Sequence, residues 1–180
     1  MAAQQDQETL ASPEAHDPTA PLTTPVPSLA DLLTIEPSAS IFYTYAREVE
    51  LSELFADSEG NNTVLVPTNK AVMALSRKPH QGPAPVDSGV VITQQEYDRM
   101  SKENVERWVS AHIVPSHIGL PSSETYDTML EGVSVTFHDN GGKDEPAWRR
   151  AVVNDNIHIV SMKKANNGVL YMIDGTVKID

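Results

Sequence analysis

The stretch Thr63-Val-Leu-Val-Pro-Thr-Asn-Lys-Ala-Val72 decides the fold, because it passes from a strand pattern to a helix pattern within one short segment. Thr63–Pro67 is an apolar run closed by proline, which is typical of a buried strand. Thr68 can cap a short helix that carries Ala71, Val72 and Leu75. A turn at Gly60-Asn61-Asn62 precedes the strand.

Helical patterns lie on both sides of this corner. Ser28–Asp31 has the form of a capping box that opens a short helix, and Ser38–Val49 repeats apolar residues at helical spacing. Thr93–Glu96 is a second capping box. The helix that follows it has one apolar face, formed by Val105, Trp108, Val109, His112 and Ile113.

The last third of the chain has strand patterns. Val133–Phe137 alternates with a period of two, and His138–Gly142 predicts a hairpin turn. Val152-Val153, Ile157–Val160 and Val169–Ile173 predict further short strands. Helices followed by antiparallel strands indicate an α+β domain.

Domain boundaries follow from composition. Residues 1–27 contain five prolines among small and polar residues, which predicts a disordered tail that acts as a flexible spacer. The periodic patterns occupy residues 28–180, which we therefore assign to one domain. Within it, the Pro- and Gly-rich stretch 78–89 predicts a loop.

Charge and composition exclude several classes of partner and cofactor. The net charge is −12, from 13 basic and 25 acidic residues, so a phosphate backbone or an anionic membrane surface is a poor partner. There is no cysteine, which rules out disulfides and Cys-based zinc sites. No apolar run is long enough to span a bilayer, and no cofactor motif occurs. Met1–Asp6 does not resemble a signal peptide, so secretion would require a leader that this sequence lacks.

Three segments together resemble the fasciclin domain family. They are the stretch Thr63–Val72, the segment His112-Ile-Val-Pro115 and the stretch Asn167-Gly-Val-Leu-Tyr-Met-Ile-Asp174. They are similar to the first signature, the central histidine and the closing signature strand of that family, and they occur in the family's order. The resemblance covers roughly residues 28 to 180 and is greatest to single-domain fungal members.

The resemblance implies a wedge-shaped β-sandwich of short, mainly antiparallel strands flanked by helices. It also implies a non-enzymatic adhesion or protein-binding role at a cell surface, a cell wall or an endomembrane (vacuolar) lumen. The partner would be a protein or a component of the cell surface or wall. A cytoplasmic location is the alternative.

Integrin binding is not supported by the resemblance. Animal members that bind integrins often have a Tyr-His pair at the central motif and an Asp-Ile pair before the closing signature. This chain has Ala111-His112 and Met162-Lys163 at those positions.

Most of the candidate residues have a structural interpretation. Pro67, Thr68 and Asn69 suit a strand-to-helix corner in which Asn69 bonds neighbouring backbone groups, with a ligand site at Asn69 as the alternative. Asn167 and Gly168 belong to the closing signature strand, and Asp174 is expected to anchor the end of that strand through backbone hydrogen bonds.

Chemistry at His112 is the second alternative to a binding module. We interpret His112 as a buried residue that fixes a neighbouring segment. A metal pair with His117 does not fit a spacing of five residues across Pro115. A hydrolase that uses His112 with Ser110 or Ser116 is an alternative for which no catalytic motif exists.

Two further possibilities stay open at this point. Asn61-Asn62-Thr63 is a glycosylation sequon, so Asn61 is a candidate acceptor. A sandwich with helices along one side can also leave a cleft, which makes a carrier of a small apolar ligand the first alternative to a binding module.

Overall fold

The computed structural model describes residues 25–83 and 89–179. Residues 1–24, which make up most of the predicted tail, lie outside the described residues, as does most of the second half of the predicted loop at 78–89. The helices are α1 (Leu29–Ile35), α2 (Ser40–Glu48), α3 (Glu53–Ala56), α4 (Asn69–Met73), α5 (Gln94–Ser110) and α6 (Ala147–Arg150), with 3-10 turns at Pro37–Ala39 and Pro79–Gln81. The strands are β1 (Asn62–Pro67), β2 (Ile113–Val114), β3 (Thr125–Asp127), β4 (Ser134–Asp139), β5 (Ala151–Val153), β6 (Ile157–Ala165) and β7 (Gly168–Ile173).

The described strands form one mixed sheet in the order β2-β1-β7-β6-β5-β4-β3. The pair β1–β7 is parallel, with Thr63 opposite Val169 and Pro67 opposite Ile173. The other pairs are antiparallel. This arrangement confirms the predicted α+β class with short, mainly antiparallel strands.

Strands β1 and β7 are buried on both faces, which explains why both are continuous apolar runs. On one face, Val64, Val66, Leu170 and Met172 pack against the helices. The opposite face contributes to a second cluster that includes Phe137 and other residues of β4–β6. The sheet therefore folds its β4–β6 half over β1 and β7, which gives the sandwich-like core.

The helical layer rests on aromatic packing. Trp108 of α5 is 6% exposed and lies 5.8 Å, centroid to centroid, from both Phe42 and Tyr45 of α2. At the start of α1, Ser28 and Asp31 form the reciprocal hydrogen bonds of the predicted capping box. At the start of α5, Thr93 accepts a hydrogen bond from the backbone N–H of Glu96.

Two local predictions were wrong. Helix α5 ends at Ser110, so His112 lies in a turn and Ile113 already belongs to β2. The helix stops there because Ile113 pairs with Val64, and the gain from closing the sheet edge outweighs one more helical turn. The hairpin predicted at His138–Gly142 does form, since β4 and β5 pair antiparallel, but a long connection that includes α6 replaces the tight turn. Arg150 at the end of this connection pairs with Asp139 at 3.2 Å.

Candidate functional site

The first signature forms a corner between β1 and α4. Pro67 is the last residue of β1, and the hydroxyl of Thr68 caps α4 by accepting from the N–H of Ala71 at 3.2 Å. The side chain of Asn69 reaches the start of α2, where its Oδ1 accepts from the N–H of Ile41 at 3.0 Å. Its amide nitrogen donates to the carbonyl of Pro37 and the hydroxyl of Ser40. Through these bonds Asn69 joins α4 to the start of α2.

The closing signature begins with a buried asparagine. Asn167 is 1% exposed, and its Oδ1 accepts from the N–H of Leu29 at 2.9 Å. Its Nδ2 donates to the carbonyls of Phe55 and Asp57 at 2.8 and 3.0 Å. This one side chain thereby ties α1 and α3 to the start of β7.

Gly168 allows the two signatures to meet. It lies opposite Asn62 in the parallel pair, and a Cβ at Gly168 would overlap the carbonyl of Asn62. Only glycine fits where the backbones approach this closely.

Asp174 lies at the end of β7. Its Oδ1 accepts from the backbone N–H of His158 at 2.8 Å, and its Oδ2 is 3.2 Å from Nδ1 of the same histidine. Its own N–H donates to the carbonyl of His158. Asp174 thus joins the ends of β6 and β7, and the ring of His158 is exposed to solvent.

His112 is fully buried and bonds to backbone through both ring nitrogens. Nδ1 lies 2.7 Å from the carbonyl of Trp108, and Nε2 accepts from the N–H of Val177 at 3.0 Å. The neutral ring therefore carries its proton on Nδ1. Burial lowers the pKa of His112 to about 4, although the bond to the Trp108 carbonyl acts in the opposite direction.

This geometry bears on the hydrolase alternative. Neither ring nitrogen of His112 is left to take a proton from Ser110 or Ser116. The described residues also contain no group of three or more His, Cys, Asp and Glu side chains that could hold a metal ion. Within the same residues, every buried side-chain nitrogen and oxygen has a hydrogen-bond partner.

The sequon at Asn61 joins an exposed acceptor to a buried threonine. Asn61 is exposed, whereas Thr63 is 0% exposed. The hydroxyl of Thr63 donates to the carbonyl of Ser116 at 2.7 Å and accepts from the N–H of Ile118 at 2.9 Å. In the folded domain this hydroxyl is already engaged, so the sequon is accessible as a unit only before β1 enters the sheet.

A cavity of about 610 Å³ lies between three segments of the chain. Its walls are the segment 75–83, the C-terminal half of α5 and the segment 176–179. The apolar part of its lining comes from Leu75, Pro79, Pro83, Trp108, Val177 and Ile179. The basic part comes from Arg77, Lys78, Arg107 and Lys178, and Glu103 is its acidic residue.

An apolar surface lies at the other end of α5. Val90, Val91 and Ile92 precede the helix and are 70%, 95% and 41% exposed, and Tyr97 and Met100 on the helix are 48% and 43% exposed. We call these five residues the α5 apolar patch. Sequence reasoning missed it, because Tyr97 and Met100 alone are too few to mark a second face. The run Val90-Val91-Ile92 next to a capping box was the available signal.

Sequence reasoning also missed the basic residues of the cavity. They lie far apart in the chain, and no local spacing brings Arg77, Arg107 and Lys178 together. The only signal in the sequence was the composition. The chain has 13 basic and 25 acidic residues, so a cluster of basic side chains is not expected by chance.

The first and the closing signature segments pair as the parallel strands β1 and β7. The fold is therefore a single α+β module in which buried polar side chains hold separate segments together. The sequence model of the fasciclin domain matches residues 37–178. The chain belongs to the fasciclin domain family, whose members are known as adhesion and protein-binding modules and are generally non-enzymatic.

Several fungal proteins are similar to this chain in sequence. The chain is 28% identical over 150 residues to a FAS1 domain-containing protein of Candida glabrata, which covers 76% of this chain and 59% of that protein. A FAS1 domain-containing protein of Saccharomyces cerevisiae is 27% identical over 168 residues, covering 83% of this chain and 62% of that protein. A FAS1 domain-containing protein of Aspergillus fumigatus is 35% identical over 94 residues, covering 50% of this chain and 40% of that protein. The chain thus spans less than two thirds of the length of these relatives.

Among solved structures, the chain resembles the FAS1 domain pair of the insect cell adhesion molecule fasciclin I. The TM-score is 0.55 at 13% identity, and the match covers 86% of this chain and 52% of that one. This similarity confirms the fold. In the part of the chain that the structure describes, no helix has the length and apolar character needed to cross a membrane.

Proposed function

We propose that this protein is a non-enzymatic adhesion or protein-binding module that acts at a cell surface, a cell wall or an endomembrane lumen. Membership of the fasciclin family supports a role in adhesion or protein binding. The observation on this chain that supports the proposal is the exposure of the α5 apolar patch. The solved relative described above is itself a cell adhesion molecule.

The patch is unusual for its surroundings. Helix α5 is otherwise polar in its first half, where charged residues such as Glu96, Asp98 and Arg99 occur between the apolar ones. Single exposed apolar residues are ordinary on a protein surface, but this chain exposes five within eleven positions, which makes the segment a candidate interface. Tyr97 adds an aromatic ring with a polar end, which is a side chain enriched at protein interfaces.

Charge restricts the partner. A net charge of −12 disfavours acidic surfaces, including nucleic acid and anionic lipid. The occupant that we propose for the patch is a protein with an apolar centre and a neutral or basic rim. Apolar contact would supply affinity, and the charge of the rim would speed association.

The bonding of His112 supports the non-enzymatic part of the proposal. Its ring holds Val177 and the Trp108 carbonyl, which is a structural use of the residue. Asn69, Asn167 and Asp174 are engaged in the same manner with backbone groups of other segments.

For the compartment, we propose the secretory route, ending outside the cell or in a vacuolar lumen, with a cytoplasmic location as the alternative. The exposed sequon residue Asn61 is compatible with this route. A glycan on Asn61 in the native host would support it, whereas unmodified Asn61 together with cytosolic fractionation would favour the alternative.

The function is tested by attachment of protein-coated beads to intact fungal cells and to isolated cell walls. We expect wild-type beads to attach, and Tyr97→Glu with Met100→Glu to reduce attachment at least several-fold, because the patch becomes charged. The matched control is Met73→Glu with Val160→Glu, which adds the same charge at exposed apolar residues outside the patch. Equal attachment by the patch variant and the control variant would contradict the proposal.

A further inference from the structure

The cavity between the segment 75–83, α5 and the segment 176–179 combines an apolar lining with positive charge. Its volume of about 610 Å³ lies within the range of small-molecule sites. It is separate from the α5 apolar patch, since none of the five patch residues lines it. The surface on which the adhesion proposal depends and this cavity are therefore independent features.

The charge of the cavity opposes that of the whole chain. Four of the 13 basic residues line it, while one acidic residue, Glu103, does so. Glu103 is also engaged with Arg99, at 2.7 Å between Oε1 and Nη1. A local excess of cations in a protein of net charge −12 creates a site that attracts an anion.

The basic residues fall into two pairs with different roles. Arg77 donates to the carbonyls of Gly82 and Gln81, and Lys78 donates to those of Met73 and Leu75, so these two shape the wall. Arg107 and Lys178 have no hydrogen-bond or ion-pair partner among the described residues. They line the cavity from α5 and from the segment 176–179, so two cations from separate elements border it.

The walls of the cavity are fixed in place by other hydrogen bonds. Asn104 of α5 donates to the carbonyl of His80 at 3.3 Å, which holds the segment 75–83 against the helix. On the other side, His112 holds Val177 at 3.0 Å. A cavity that exists before its ligand arrives avoids part of the entropy cost of binding.

We propose that this cavity binds a small amphipathic anion, namely a molecule with an apolar body and one carboxylate head group. The body lies against the indole of Trp108 and the side chains of Leu75 and Ile179. The carboxylate lies between Arg107 and Lys178, where the guanidinium can bind both oxygens. This ligand differs from the purely apolar one that the sequence left open.

The test uses dodecanoate at neutral pH with the fluorescence of Trp108 as the signal. The background variant Trp148→Phe leaves Trp108 as the single tryptophan of this chain, which has two. We expect saturable binding of one dodecanoate per chain, and weaker binding of dodecanol, which has the same body without the charge. Equal affinity for the two molecules would overturn the proposal in favour of an apolar ligand.

Charge variants locate the head group. Arg107→Gln and Lys178→Gln should each weaken dodecanoate binding by about threefold to tenfold, as expected for partly exposed charge-assisted hydrogen bonds, and should leave dodecanol binding unchanged. The matched control Lys164→Gln removes the same charge from an exposed position on β6 outside the cavity. The absence of saturable binding, or equal weakening in the control, would contradict the proposed site. Bead attachment is measured separately, so this result and that of the adhesion test can differ.

Discussion

At the scale of single residues, the fold depends on polar side chains that are buried in the core and form hydrogen bonds to backbone groups there. His112, Asn167 and Thr63 are 0–1% exposed, and each bonds to backbone groups of distant segments. A buried polar group without its partner costs free energy, so each of these residues specifies which segments must meet. Two of them lead to predictions at this scale.

The first prediction concerns His112 and acid. Its pKa is about 4 in the folded protein, whereas the unfolded chain has the ordinary value of 6.5. As the pH falls from about 6.5 to about 4, His112 becomes protonated in the unfolded chain but stays neutral in the folded protein. This difference removes about 3 kcal/mol from the free energy of unfolding. In urea denaturation, wild type should therefore lose more stability across this range than His112→Gln does.

The control for that measurement is His117→Gln, since His117 is exposed. It should keep the pH dependence of the wild type. The same pH dependence in His112→Gln and in wild type would show that His112 is not the responsible group.

The second prediction concerns the threonine of the sequon. Asn61→Gln and Thr63→Ala both remove the sequon, but only Thr63→Ala removes the hydroxyl that bonds Ser116 and Ile118. We expect Thr63→Ala to lower the free energy of unfolding by about 1–3 kcal/mol, and Asn61→Gln to leave it nearly unchanged. Thr63→Ser keeps both the hydroxyl and the sequon and serves as the control. Equal stability of Thr63→Ala and Thr63→Ser would contradict this account.

At the scale of elements, the centre of the molecule is the parallel pair β1–β7, which joins the two signature segments. The pair is covered by helices on one face and by β4–β6 on the other. Helix α5 is held to this layer by Trp108, next to His112 at 4.6 Å between ring centroids. Two predictions test these contacts.

Trp108→Ala should destabilise the protein by about 3–5 kcal/mol, because it removes a large buried side chain that contacts Phe42 and Tyr45. Chemical denaturation measures the change. Tyr97→Ala on the exposed side of the same helix should stay within about 0.5 kcal/mol of wild type. An unchanged midpoint for Trp108→Ala would contradict the packing of α5.

Gly168→Ala should prevent normal pairing of β1 and β7, since its Cβ would overlap the Asn62 carbonyl and neither backbone can move aside. We expect a loss of about 3 kcal/mol or more, or failure to fold, measured by thermal unfolding. Gly119→Ala is the control, because a Cβ there would meet only Nε2 of His117, at an ordinary contact distance of 4.0 Å. Similar melting temperatures for the two variants would show that the close approach is not required.

Local patterns predicted a large part of these elements. The capping box at Ser28–Asp31, the buried strand at Thr63–Pro67 and the closing strand at Val169–Ile173 follow from short-range chemistry that the chain itself displays. Strands β2 and β3 have two and three residues, too few for an alternation to be visible. The end of α5 was misplaced because pairing with β1 ends the helix, and the helical pattern itself does not.

The site was less predictable than the elements. The buried roles of Asn69 and His112 could be inferred in kind, but their partners Ile41 and Val177 lie 28 and 65 residues away. The cavity depends on three segments that meet only in the fold. Long-range placement of this kind is not encoded in any local spacing.

At the scale of the whole molecule, the described chain presents two separate features, the α5 apolar patch and the cationic cavity. We propose a protein partner for the patch and a small amphipathic anion for the cavity. Neither requires catalysis, and the buried residues of the family signatures are engaged in holding the fold. Adhesion is the central proposal, so its test has priority.

The most direct measurement is native mass spectrometry of the protein purified from its own host, comparing wild type with Tyr97→Glu plus Met100→Glu. We predict that wild type carries a bound protein chain at a fixed stoichiometry, and that the variant, although equally stable, does not. A bare wild-type monomer, or the same complex in both proteins, would contradict a protein-binding role for the α5 apolar patch.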